Sequence, residues 1–411
     1  MSGPREEYRF RSLDGLRGVA ALMVAFCHFI TAFHWAMLSG DTAAAHFAGE
    51  TALSHTPLVF FYNADLCITI FFIISGFVLA ASVVGSGASL PALIARRWVR
   101  LALPVTGISL FAFAIPALGL SFAQPASILS KSGWLALQYC CVQLDPRNFA
   151  QLIFESLILL IYPHAGWGTL ARYYNTNLWT MPIEFVGSIG LFVIYRLLLV
   201  RFPPRVLFRL AVILLLFAGL WQTPYAGFPA GAALFECFHA TRTMRLPRFC
   251  MVIIGAPVFF AGLILGSTPF ELNLQNGGIQ AGIAIAVYRV TAPVSSITVM
   301  HGVGALCLVA GALLFAPVRM LLESRLCQFL GKISFMVYLV QIPILCFTAA
   351  GIVVALTPRI GYNEASVIAA IGYLACVLAT ATLFTRYIDA PAIRASRRAS
   401  RLSIFRAKTS A

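Results

Sequence analysis

The stretch Leu13–Phe29 reads LDGLRGVAALMVAFCHF, and its apolar run continues to Leu38. A run of that length crosses a hydrocarbon core of roughly 30 Å, which takes about 20 helical residues at 1.5 Å each. It is too long for the apolar part of a secretory signal, although Ala43–Ala45 resemble a cleavage site. Cleavage there would discard the most polar helix of the chain, so the segment is expected to be retained. Arg17 and His28 stand eleven residues apart in it. That is about three turns, so both project from one face with roughly 16 Å between them. An ionisable group at mid-span costs about 2.5 kcal/mol or more, which makes each one a functional candidate.

The rest of the chain repeats the apolar pattern. Of 411 residues, 60% are hydrophobic and 10% charged, against about 25% charged in a soluble domain. A soluble domain and a disordered chain are both excluded. The net charge of +15 is not a nucleic-acid footprint, because the cations sit between long apolar runs. The expected class is all-α: a polytopic transmembrane helical bundle of about ten spans. They are Leu16–Leu38, Leu58–Ser82, Leu101–Phe122, Met181–Val200, Val206–Trp221, Gly227–His239, Met251–Gly266, Val294–Pro317, Ile333–Leu356 and Ala365–Phe384. Phe149–Tyr162 and Gly278–Val290 are too short or interrupted and are expected to be interfacial or re-entrant. With both termini cytoplasmic, 24 of the 29 cations fall on the inner side, and only Lys131, Arg147, Arg172, Arg289 and Arg359 are left outside. That asymmetry favours an even number of spans. Residues 1–390 form the membrane domain and 391–411 a basic cytoplasmic tail drawn to anionic lipid.

The cysteines behave as small hydrophobes in or beside spans, and Cys140 with Cys141 are poor partners for each other. No CxxC or Cys/His metal spacing exists, so neither a metal nor a redox role is expected.

The polar outliers have two readings each. His28 is either a buried base with Arg17 as an anion-binding entrance, or a packing histidine with Arg17 as a topology anchor. Ser75 and Gly76 in FFIISGF let helices approach, or Ser75 touches substrate. Arg96, Arg97 and Arg100, in the connection after the second span, clamp phosphates or set topology. Glu184, in NLWTMPIEF at the outer start of the fourth span, moves a proton and orients a histidine, or is simply paired with an arginine. Glu236, His239, His301 and Asp389 read as packing or capping residues. A transporter or flippase of lipid-linked sugar, relaying protons through His28 and Glu184, is the rival from another class.

Together these motifs resemble acyltransferase family three, the bacterial integral-membrane O-acyltransferases of cell-surface and exported glycans. The resemblance rests on Arg17 and His28 at their ten-residue spacing, FFIISGF, RRWVRLALP and LWTMPIE, with GKISFMVYLVQIP and YIDAP following in order. It implies a bacterial cytoplasmic-membrane enzyme moving an acyl group, usually acetyl, from cytoplasmic acyl-CoA to a hydroxyl of a glycan or other acceptor at the outer face. His28 would be base or acyl carrier, and Glu184 its partner or a proton acceptor. Arg17, Arg96, Arg97 and Arg100 would hold the CoA phosphates, and Ser75 would position the thioester. No metal is implied, and association of like copies is left open. Two departures stand out. Gln341 occupies the place of a common late histidine, and 411 residues leave no room for the extracytoplasmic hydrolase-like domain of some relatives. The chain is expected to work without that domain or with a partner.

Overall fold

A backbone in lipid must satisfy its own hydrogen bonds, so apolar runs of this length fold as helices. The computed structural model describes residues 10–84, 88–139, 146–161, 169–199, 206–243, 248–270, 279–291 and 295–399, and every regular element among them is helical. The long ones are α1 (Arg11–Phe33), α2 (Ala64–Val84), α3 (Leu90–Ala117), α4 (Thr176–Leu198), α5 (Val206–Leu220), α6 (Gly227–Thr243), α7 (Arg248–Gly266), α8 (Ser296–Leu314), α9 (Arg325–Ile360) and α10 (Tyr362–Ala399). Among the described residues seven are long and apolar enough to cross a membrane, namely α1 to α4 and α8 to α10. The apolar parts of α5 and α7 are shorter, and α6, with buried Glu236, does not qualify. Cys140, Cys141 and the end of the basic tail lie outside the described residues. Cys27, Cys67, Cys237, Cys307, Cys327, Cys346 and Cys376 are free thiols.

Two helix pairs approach through glycine. A Cβ on Gly18 of α1 would lie 2.6 Å from the carbonyl carbon of Leu330 in α9, and one on Gly331 would overlap the backbone of Asp14. Likewise Gly76 of α2 faces the backbone of Phe228 in α6, and Gly231 of α6 faces that of Ile73. Gly76 thus serves helix approach, as small residues do in membrane bundles.

Prolines shape the last two long helices. Pro343 cannot donate to the carbonyl of Leu339 four residues back, and Asn175 Nδ2 does so instead at 2.8 Å. Its neighbour Asn177 donates to the Tyr338 carbonyl at 3.1 Å, so the start of α4 is tied to the middle of α9. A π-helical turn, Leu345–Ala349, follows Pro343, and another, Thr385–Asp389, precedes Pro391. The helix then runs on through Ala390–Ala399, which packs on α3.

The structure moves two expected boundaries. The first span ends at Phe33 rather than Leu38, because His34 leaves helical geometry to bond Glu50 and Ser366. The third begins at Leu90 rather than Leu101, so Arg96, Arg97 and Arg100 are helical residues and not a connecting loop. The local sequence is too polar to read as a span. It becomes one because α4 and α10 supply carboxylates to two of those arginines.

Overpacking the glycine contacts is expected to destabilise by about 1–3 kcal/mol or more. Gly18→Leu and Gly231→Leu should lower the melting temperature of the detergent-purified protein and broaden its size-exclusion peak, whereas Gly190→Leu, with open space around it, should not. Unchanged melting in the first two would contradict the packing described.

Candidate active site

The sequence scatters its polar outliers over seven helices, and the fold gathers most of them. Arg17 of α1, Ser75 of α2, Arg97 and Arg100 of α3 and Glu184 of α4 all line one cavity of about 200 Å³. Lys332, Ser334 and Tyr338 of α9 and Asp389 of α10 complete its polar wall, and Phe71, Phe72, Leu101 and Met181 contribute to the apolar part. Four cations therefore face two carboxylates. The excess positive charge, in surroundings of low dielectric, suits an anionic ligand.

Each charge is held by a named contact. Arg97 forms an ion pair with Glu184, and Ser75 donates to the same carboxylate oxygen. The Arg97 Nε also donates to Ser188 at 3.0 Å, which leaves the planar guanidinium fixed on two turns of α4. Arg100 grips Asp389 with both terminal nitrogens and lies 5.2 Å from the centre of the Phe335 ring. Arg17 donates to Ser334 Oγ at 3.1 Å and to the Gly331 carbonyl at 3.3 Å, with Asp14 3.5 Å away. Of the four cations it and Lys332 have no carboxylate in the cavity itself.

His28 lies on α1 beyond Arg17 and is not part of the cavity lining. Its Nδ1 is 3.2 Å from Gln341 Oε1. The orientation of that amide is settled by its other end, because Gln341 Nε2 donates at 3.0 Å to the Tyr338 carbonyl, which can only accept. The oxygen thus faces the imidazole, so Nδ1 carries the hydrogen and Nε2 of the neutral ring holds the lone pair. Trp134 stacks on the ring, centroids 5.6 Å apart and planes 11° apart. It is delivered by a short turn whose Ser132 Oγ donates to the Thr31 carbonyl at 2.8 Å. Tyr338 links the two regions: its side chain lines the cavity and its carbonyl anchors Gln341.

Of the residues expected from sequence, Arg17, Ser75, Arg97, Arg100 and Glu184 come together, Arg96 is exposed outside the lining, and His28 is held by Gln341 rather than Glu184. Four contributors were not foreseen. Asp389, read as packing or capping, is the partner of Arg100. Lys332 and Tyr338 lie within GKISFMVYLVQIP, a stretch that carries the resemblance but was given no chemical role, and Trp134 lies in no motif. Glu236 is a buried partner of Tyr195 at 3.0 Å and Arg209 at 3.5 Å, and His301 bonds the Thr268 carbonyl at 2.9 Å. Both side chains are buried and lie outside the cavity.

No curated protein and no solved structure matches the chain. A family model, the acyltransferase domain of acyltransferase family 3, matches residues 10–386. That range holds the His28–Gln341–Trp134 group and every residue of the cavity except Asp389, three residues beyond its end. The chain belongs to acyltransferase family 3, a family of membrane acyltransferases.

Proposed function

We propose that this protein transfers an acyl group, most simply acetyl, from cytoplasmic acyl-CoA to a hydroxyl of a carbohydrate or glycan acceptor at the outer face of a bacterial cytoplasmic membrane. The observation that carries this reading is the cation-rich cavity, four cations against two carboxylates, in the half of the bundle where α1, α3 and α9 begin. The scheme takes about ten spans, with both termini and those helix starts on the cytoplasmic side, as the cation asymmetry favours.

Arg17, Arg97, Arg100 and Lys332 would bind the donor phosphates, with guanidiniums forked onto phosphoryl oxygens. Arg96, exposed outside the lining, has no part in the scheme. Glu184 acts through Arg97 and Ser75: it keeps the guanidinium inside the cavity and holds the serine hydroxyl beside it, at the phosphate end of the donor. The pantetheine arm runs from Arg17 toward His28. There Nε2 takes the proton from the acceptor hydroxyl as its oxygen attacks the thioester carbonyl, and the imidazolium returns that proton to the departing CoA thiolate. Gln341 supports this as acceptor from Nδ1–H, and Trp134 steadies the transient cation through its ring face. That stacking favours His28 as general base over acyl carrier. Gln341 does for His28 what an acid or base in its place need not do, so the departure from the family's late histidine leaves a positioning contact.

Purified protein should transfer acetyl from labelled acetyl-CoA to a carbohydrate acceptor. His28→Ala should lower kcat by about 10²–10⁴ with intact expression, and Gln341→Ala by about tenfold. Full activity in the His28 variant would sink the mechanism. For orientation, cysteines introduced at the exposed positions Arg398 and Ala52 in a cysteine-free background should label from the cytoplasmic and outer sides respectively. The reverse pattern would overturn the topology.

A further inference from the structure

A second polar cluster lies at the end of the bundle where α1 stops and α10 starts, away from the cavity. Glu50 is fully buried there, in the connection between α1 and α2, and among the described residues its ion-pair partners are two histidines. Oε1 is 3.0 Å from His34 Nδ1. Oε2 accepts the backbone N–H of His46 at 2.5 Å and lies 3.7 Å from His46 Nδ1, a buried atom without a hydrogen-bond partner.

The far sides of both rings fix their protons. His34 Nε2 is 3.0 Å from Ser366 Oγ, whose own hydrogen goes to the Asn363 carbonyl at 2.8 Å, so the histidine must be the donor. His46 Nε2 faces the Leu129 carbonyl at 3.3 Å and must donate as well. Each neutral ring therefore turns a lone pair, at Nδ1, toward the carboxylate. Three acceptor groups converge with nothing of opposite charge between them, which a dry site does not tolerate. An imidazole whose outer N–H is pinned by a neutral acceptor while its inner nitrogen meets a carboxylate is the arrangement seen around bound metals.

We propose that His34 Nδ1, His46 Nδ1 and the Glu50 carboxylate bind one divalent cation of the zinc class. The three ligand atoms lie within 4.8 Å of one another. Tetrahedral bonds of about 2.0–2.1 Å place ligand atoms about 3.3 Å apart, so binding draws the cluster inward, with a fourth position for water. All three ligands come from the α1–α2 connection, and the cation would fix the two rings that join it to the start of α10, His34 through Ser366 and His46 through Tyr362, stacked on it at 3.9 Å. This site is independent of the acyl-transfer reading, and it departs from the expectation that no metal is held. The sequence offers no cysteine here and splits the ligands by spacings of twelve and four residues.

The test is titration of the full chain in detergent, with any polyhistidine tag removed and adventitious metal stripped by chelator. The protein should take up about one Co²⁺ per chain with the visible absorption of a four-coordinate ion, displaced by one equivalent of Zn²⁺. Glu50→Gln and His46→Ala should weaken Zn²⁺ by about tenfold or more. Failure of the wild-type protein to bind either ion stoichiometrically at micromolar concentration would overturn the proposal and leave protons as the charge between the rings. An unchanged cobalt spectrum in His34→Ala or His46→Ala would overturn it too. Should the variants not fold, the wild-type titration decides alone.

Discussion

The ion pair between Arg97 and Glu184, shared with the Ser75 hydroxyl, is the contact on which the interior arrangement depends. It joins α2, α3 and α4 at one point. Each member is poorly placed without the others: an arginine seven residues into a membrane helix, a carboxylate on the next long helix, and a hydroxyl among phenylalanines and isoleucines. Removing one partner of a fully buried pair costs about 3–5 kcal/mol because the other charge stays behind, and this part-buried pair lies below that limit. The pair therefore fixes how α3 and α4 are rotated, and that rotation turns Arg100 toward Asp389 and opens the cavity between them.

A second constraint sets the far end of the site. Pro343 frees the Leu339 carbonyl, Asn175 answers it, and the start of α4 is locked to α9 beside Gln341. His28 is then oriented from one side by an amide and from the other by the Trp134 ring. Both supports come from segments without regular long helices or from helix irregularities. Functional sites in membrane bundles tolerate broken backbone where it is buried in protein. The carboxylate of Asp389 likewise sits on a π-helical turn.

The sequence carried much of this. Apolar run length is enough to identify helices, and the order and spacing of the family-like motifs single out Arg17, His28, Ser75, Arg96, Arg97, Arg100 and Glu184 as one set before any geometry. What pairs with what was not recognisable. Whether Arg96 or Arg97 turns inward depends on the carboxylate that α4 presents, which no pattern within α3 records. Asp389 looked like a helix-end residue because its partner is on α3, 289 residues away. Trp134 lay in a stretch with no motif, since one aromatic side chain has no spacing to read. The end of the first span was misplaced for a related reason: His34 leaves the helix for contacts with Glu50 and Ser366, the latter 332 residues distant.

The proposed function turns on a phosphate-rich donor meeting the excess positive charge of the cavity. The most direct measurement is the affinity of the purified protein for CoA by calorimetry at two salt concentrations, for the wild type, Arg17→Gln and Lys332→Gln. The account predicts affinity that falls with salt and drops by about tenfold in each variant, as loss of one charged hydrogen bond of about 1.5 kcal/mol requires. Equal affinity in all three proteins, or no dependence on salt, would contradict it.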